Sequence, residues 1–322
     1  MASPKVISCP ERIQPQLLTM ASRPPAGDNW LYEIKFDGYR LMVRIDQGHV
    51  TLFTKNGYDW TKRMPKLAKE LLALPVRSAW LDGEVIVQDE DGRPLFSALQ
   101  SAFSSGKTDA LCFFAFDLLF ENGRDLRSLP IEKRRSRLST LLTQVELEHV
   151  RLSETLDVDP RDLLYNICAL SMEGIVCKRS GSRYASERNG SWVKVKCSPR
   201  QEFIIVGYTL AVGGIGSLLI GLHNDDGQLV YAGRVRSGFD GRTLKLLREK
   251  LAALEQTESP LRVVPKPSKG LIVVWVAAQL VCEVKYTEIT PTGKARHAVF
   301  LGLREDKPAS EINLETDAHD EP

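Results

Sequence analysis

Lys35-Phe36-Asp37-Gly38-Tyr39-Arg40 is the stretch on which the reading of this chain turns, because it sets a lysine amine at the junction of two strands. Leu31 to Lys35 reads as one strand. From Tyr39 to Asp46 the residues Leu41, Val43 and Ile45 alternate inward against Arg40, Met42 and Arg44. Gly38 permits a sharp turn between the strands. The Lys35 amine then sits at a sheet edge beside Asp37 and Arg40, where a basic cluster favours an uncharged, nucleophilic form. The same six residues also suit a plain hairpin whose lysine and arginine are merely solvated. The rest of the chain decides between the two.

Four further strands carry charge inside apolar runs. Leu81-Asp82-Gly83-Glu84-Val85-Ile86-Val87 holds Glu84 where a carboxylate is costly unless it meets a cation or a ligand hydroxyl. Phe113-Phe114-Ala115-Phe116-Asp117-Leu118-Leu119 sets an aromatic beside an acid. Met172-Glu173-Gly174-Ile175-Val176-Cys177-Lys178 repeats the carboxylate, glycine and apolar pair, and Trp192-Val193-Lys194-Val195-Lys196 puts two lysines on one strand face. In this order and at these spacings the segments resemble the nucleotidyltransferase motifs of ATP-dependent DNA ligases, with Arg304-Glu305-Asp306-Lys307 resembling the last of them. Glu202 to Tyr208, Tyr231 to Val235 and Arg296 to Lys307 narrow the resemblance to the ligase domain of bacterial ligase D, an end-joining enzyme, over about Pro24 to Lys307.

That resemblance implies an α+β fold: a nucleotidyltransferase (adenylation) domain of antiparallel sheets with flanking helices, followed by an OB-fold β-barrel. It implies that Lys35 attacks the α-phosphorus of ATP and carries AMP as a phosphoramidate. Glu33 matches the position that reads the adenine amino group. Phe116 matches the one that stacks on the purine, although a plain core aromatic is the other reading. Arg40 and Glu84 would bind the ribose, Glu84 also lying near a metal, and Glu173 would ligate Mg²⁺ or Mn²⁺ directly. Asp37 and Lys55 join the nucleotide-binding set, Lys55 standing where the family usually has arginine, so that a fork of donors becomes a point charge. Lys194 and Lys196 would hold the α-phosphate. Arg304 and Lys307 would reach the triphosphate if the barrel swings about a hinge at Ser198-Pro199-Arg200.

The implied reaction transfers AMP to a 5′-phosphate on nicked or broken duplex DNA, whose adjacent 3′-hydroxyl then displaces it. An RNA ligase, a GTP-dependent capping guanylyltransferase, or an inactive DNA-binding scaffold are the alternatives. The resemblance adds Ku and a repair polymerase as partners, a monomeric state, and a bacterial cytoplasmic, nucleoid-associated location.

Length and composition agree with two compact domains. The chain has 322 residues, 43% of them hydrophobic, enough for a core in each part. No stretch approaches a membrane span, and Met1 to Arg12 lacks the apolar run of a signal peptide. Six cysteines form no Cys-x-x-Cys pair and read as reduced core residues, with neither zinc site nor disulfide framework indicated. A formal net charge of +2 is a poor argument for nucleic-acid binding. Its distribution says more: basic residues gather around Lys178-Arg179 and Arg183, at Lys194 to Arg200, and at Arg234, Arg236 and Arg242, and Glu311, Glu315, Asp317, Asp320 and Glu321 make an acidic end. Arg134, Arg135 and Arg137 read as the solvated face of a helix.

Along the chain, residues 1–22 form a polar lead-in, 23–199 the adenylation domain, 200–307 the barrel and 308–322 a disordered acidic tail. Helical patterns fall at Lys62 to Leu74, Phe96 to Phe103, Ile131 to Gln144, Pro160 to Ser171 and Gly241 to Glu255. Asn224-Asp225-Asp226-Gly227 reads as a hairpin turn, and strands resume at Leu271 to Val276 and Leu280 to Tyr286.

Overall fold

The computed structural model describes residues 7–211, 214–265 and 271–314. The chain divides after Cys197 into two compact units, and each is built around its own apolar core.

In the first unit the strands run β1 (Thr19–Met20), β2 (Trp30–Lys35), β3 (Tyr39–Asp46), β4 (His49–Thr54), β5 (Ser78–Ile86), β6 (Cys112–Glu121), β7 (Arg124–Asp125), β8 (Val150–Leu152), β9 (Gly174–Arg179) and β10 (Trp192–Lys196). Helices α1 (Pro65–Leu71), α2 (Phe96–Ser105), α3 (Ile131–Leu142) and α4 (Pro160–Ala169) are interleaved with them. Six strands pair in the order β4-β3-β5-β6-β7, with β8 parallel to β6, and four more pair as β1-β10-β9-β2. Leu41, Val43 and Ile45 feed a core with Leu67, Leu99 and Leu138 of the helices. The opposite face of β3 is buried as well: Met42 packs with Trp80, Phe120 and Trp192 in a cluster that joins residues of both sheets. The polar half of the alternation is therefore a second interior, and the cavity described below opens there. Against the outer face of the four-stranded sheet lies α4, through Leu163 and Ile167 on Ile175, Val193 and Val195. Its start is set by Pro160 at the first turn and by the Asp159 carboxylate, which accepts from the Arg161 and Asp162 amides.

Gly38 works differently from the turn expected of it. Its φ lies outside the left-handed region, but a Cβ there would fall 2.2 Å from the Val85 carbonyl oxygen, so glycine is needed because β5 passes so close. Gly174 needs both freedoms, with φ at +151° and the Val195 carbonyl 2.0 Å from a Cβ.

Three expectations about the chain's periphery change. The lead-in belongs to the first unit: Ile13 and Gln16 are buried and β1 runs parallel to β10. Beyond Pro308 the backbone stays ordered through a turn of 3-10 helix at Ala309–Glu311, and Ile312 joins the second core; residues 315–322 lie outside the described residues. Cys168 and Cys197 form a disulfide across 29 residues, because α4 carries Cys168 to the end of β10. Spacing along the sequence gave no sign of this, since packing creates the proximity. Cys177 and Cys282 are buried free thiols, and burial pushes Cys177 up to about 12.

In the second unit β11 (Arg200–Ala211), β12 (Gly214–His223) and β13 (Leu229–Val235) form a meander, and the turn before β13 closes by bonds from the Gly227 and Gln228 amides to Asn224. Helix α5 (Gly241–Ala252) follows, capped by the Asp240 carboxylate on the Thr243 amide. The remaining strands are β14 (Glu255–Gln256), β15 (Val273–Val276), β16 (Val281–Lys285), β17 (Glu288–Ile289), β18 (Ala295–Arg296) and β19 (Val299–Arg304). The long β11 pairs with β12 on one edge and with both β16 and β15 on the other, and β16 continues to β19. A parallel bridge from Ser237 to Val299 links the end of β13 back to β19. The order β11-β12-β13-β19-β16-β11 is that of a five-stranded Greek-key barrel, the OB-fold. Among the described residues no helix is long and apolar enough to cross a membrane.

Candidate active site

Lys35 ends β2 directly opposite Gly174 of β9, so the two adjoining motifs are brought together by strand register. Its Nζ lies 2.5 Å from Glu173 Oε2, both side chains being largely withdrawn from solvent. A carboxylate thus lies in contact with the amine, and Arg40, which lines the same cavity, turns its guanidinium to Asp82. Beside Lys35 opens a cavity of about 60 Å³ lined by Glu33, Phe36, Arg40, Glu84, Phe116, Val176, Lys178 and Trp192 among others.

Glu33 forms the buried end of that cavity. It accepts from Arg135 at 2.9 Å and from the Ser153 hydroxyl at 2.9 Å, and pairs with the Lys178 ammonium at 2.7 Å. Burial lowers the Lys178 pKa, with Glu33 opposing that shift. Beside this cluster, wholly buried Arg134 makes a two-pronged contact to Asp117 at 2.8 Å on each prong. Burial raises the Asp117 pKa against the pull of Arg134. Helix α3 thus does not turn its arginines to solvent, as their spacing suggested. Arg134 and Arg135 face inward and neutralise two buried acids, and Arg137 reaches Glu121 at the surface. Arg135, Lys178 and Ser153 together fix the Glu33 carboxylate at the end of the cavity.

Arg40 grips Asp82 with two bonds of 2.9 and 2.7 Å and donates to the Gln16 carbonyl at 2.7 Å. Tyr184 donates to the same carboxylate at 2.7 Å. Although burial works against its charge, the contact with Asp82 dominates and raises the Arg40 pKa. Glu84 faces Arg40 across the β3 to β5 register and lines the cavity. Phe116 lines it too, with the Arg40 guanidinium 5.3 Å and the Lys178 ammonium 4.3 Å from its ring centre. Asp37 lies in the link between β2 and β3. Lys194 and Lys196 share a face of β10 with Trp192, and Lys196 sits opposite Gly174, one residue from the acid that holds Lys35. Lys55 stands apart, in a separate cavity of about 160 Å³ with Arg12, Phe53 and Trp80.

Sequence reasoning passed over Asp82, Arg135, Ser153 and Trp192 as site residues, and counted Lys178 only as part of a basic cluster. Asp82 carried the signal that exposed Glu84, an acid in an apolar run. Lys178 is two residues from Val176 on the face that lines the cavity.

In the second unit the last motif is engaged locally. Arg304 donates to Glu283 at 2.9 Å and makes two bonds of 2.9 Å to Asp306, while Lys307 pairs with Glu202. As described, Arg304 clamps β16 to β19 and does not offer a free fork to a triphosphate. A separate groove of about 900 Å³ on this unit is lined by Tyr231, Arg234, Arg236, Trp275, Lys294, Arg296 and His297 among others. Basic and aromatic side chains share it, the combination that binds nucleic-acid strands.

Residues 15–196, more than half of the chain, match the family described as ATP dependent DNA ligase domain. The chain belongs to the ATP-dependent DNA ligases. Residues 211–307 of this ligase match the family's C terminal region. A multifunctional non-homologous end joining protein of Pseudomonas aeruginosa, LigD, is 49% identical over 314 residues, which cover 96% of this chain and 37% of that protein. A probable DNA ligase of Streptomyces coelicolor is 30% identical over 85% of the chain and 56% of its own length. The ligase described here thus spans a little over a third of the LigD relative it matches. Among solved structures, a mycobacterial DNA ligase D complexed with ATP and MES is 37% identical, with a TM-score of 0.68 over 92% of this chain and 97% of that one.

Proposed function

We propose that this chain seals 5′-phosphate to 3′-hydroxyl breaks in DNA through a lysyl-AMP intermediate on Lys35, in the repair of broken ends. The observation that carries the reading is Lys35 in contact with Glu173 at the wall of a cavity whose buried end is built from Glu33, Lys178, Phe116 and Trp192. In the first step the Lys35 nitrogen bonds to the α-phosphorus of ATP, the bond to the bridging oxygen breaks, pyrophosphate leaves and the amine's proton passes to Glu173. A DNA 5′-phosphate oxygen then displaces the lysine from the adenylate. Finally the neighbouring 3′-hydroxyl oxygen displaces AMP and closes the strand.

Phe116 and Arg40 bound the base and ribose, Arg40 being fixed by Asp82 so that it meets the sugar without rearranging. Lys194 and Lys196 steady the α-phosphate. Lys55, away from the cavity, is assigned to a DNA phosphate, and the basic aromatic groove of the second unit to the duplex flanking the break. Lys307 is kept for the leaving pyrophosphate. Glu84 and Glu173 are hard oxygen donors suited to a Mg²⁺ or Mn²⁺ ion that shares phosphate oxygens, while no cluster of three or more metal-ligating side chains occurs among the described residues. Such an ion, when bound, screens the charge between amine and phosphate. Ku and a repair polymerase complete the proposal, on the strength of the end-joining relatives.

The test is incubation with α-labelled ATP, GTP or NAD⁺ and a divalent metal, followed by a denaturing gel. Label on the protein from ATP alone is the expected result; label from GTP or NAD⁺ in its place overturns the reading.

A further inference from the structure

Two buried polar groups on the cavity wall make no hydrogen bond within the described residues, the Lys178 ammonium, which is ion-paired with Glu33, and the Trp192 indole N–H. Trp192 opens β10, is only 1% exposed, and its ring lines the cavity. Phe116 and Tyr184 meet that ring edge-on at 5.9 and 5.6 Å, and the Lys178 ammonium lies 4.5 Å from its centre. The buried indole N–H has no acceptor among the described residues. Buried donors are nearly always paired, so one left over beside a cavity points to an acceptor that arrives with a ligand.

The neighbouring groups narrow the chemistry of that acceptor. Lys178 and Arg40 can only donate. The Glu33 carboxylate is held by Arg135 and Lys178 on one oxygen and by the Ser153 hydroxyl on the other. Around the indole the Lys178 and Arg40 donors stand beside apolar wall from Leu18, Phe116 and Val176, and Glu84 and Ser153 add polar groups elsewhere on the cavity lining. A flat heteroaromatic ring with lone pairs in its own plane and apolar faces fits that description.

We propose that the Trp192 indole N–H donates a hydrogen bond to a ring nitrogen of the adenine base, which makes Trp192 a specificity-determining residue of the pocket. Glu33 fixes the Lys178 ammonium beside the indole. This deepens the ATP reading given above and rests on it.

The experiment measures self-adenylation by ATP and by its deaza analogues, in which each ring nitrogen in turn becomes C–H, for the native chain and for Trp192→Phe. Phenylalanine keeps the aromatic wall and removes only the donor. One analogue should lose roughly tenfold in kcat/KM with the native chain. Trp192→Phe should lose about the same factor with ATP, through KM, and nothing further with that analogue. Equal use of all the nucleotides by the native chain overturns the proposal, and so does a loss in Trp192→Phe that simply adds to the loss from every analogue. A readout free of any variant is the ¹H–¹⁵N resonance of the Trp192 indole, which should move downfield when AMP is added; an unmoved resonance overturns the proposal even if Trp192→Phe folds poorly. No adenylate from ATP at all would sink the functional reading itself, an outcome distinct from normal adenylation without coupling to Trp192.

Discussion

The cavity of the first unit and the groove of the second are both rich in charge, yet they use it in opposite ways. Around the cavity nearly every charge is buried and matched: Arg40 with Asp82, Arg134 with Asp117, Glu33 with Arg135 and Lys178, Lys35 with Glu173. In the groove Arg236 and Lys294 are exposed, and the Arg296 pair with Glu288 is more than half open to solvent. Buried pairs cost desolvation and return fixed geometry, which suits a small ligand that must be held in line for reaction. Exposed cations cost little and are screened by salt, which suits a long polyanion gripped at many points. On the proposed function, the contrast separates the chemistry of the nucleotide from the grip on DNA.

That separation can be broken at several strengths. Lys35→Arg keeps the positive charge and removes a nucleophile able to lose its proton, so protein adenylation should fall by at least about 10⁴-fold with the melting temperature little changed. Adenylation at the native rate would remove Lys35 from the mechanism. Glu173→Ala should cost on the order of 10²–10⁴-fold in rate at saturating ATP, since the contact acts on the reacting amine and phosphate; a variant that melts earlier yet seals nicks normally would show a structural carboxylate instead. Asp117→Ala strands the wholly buried Arg134 and should lower stability by about 3–5 kcal/mol, measured by denaturant unfolding. A loss near the value for exposed pairs, under about 1 kcal/mol, would mean that the pair is not truly buried. The smallest effect belongs to the groove. Arg236→Ala with Lys294→Ala should weaken binding to nicked DNA several-fold and flatten its salt dependence by about one unit per lost phosphate contact. An unchanged salt slope would take DNA away from this face.

Much of this arrangement is legible in the residues because motif chemistry is local. Lys35, Glu84, Phe116 and Glu173 stand out as charge or aromaticity within apolar strands, and the strand from Tyr39 to Asp46 follows from alternation alone. What escaped was made by packing between distant segments. The arginines of α3 look solvated until β2 and β6 present Glu33 and Asp117 to them. Cys168 and Cys197 meet only once α4 lies on its sheet. Gly38 reads as a turn residue, whereas the constraint comes from Val85 on a strand some forty positions later. The polar face of β3 looks like a surface because the second sheet that covers it, β1-β10-β9-β2, is drawn from widely separated parts of the chain.

The central claim is that one lysine carries the nucleotide. After reaction with ATP and metal, the trapped protein is digested and the peptides are sequenced by mass spectrometry. AMP attached through the side chain of Lys35, and released by added pyrophosphate, is the result this account requires. AMP found on any other residue, or on none while nicks are still sealed, would contradict it.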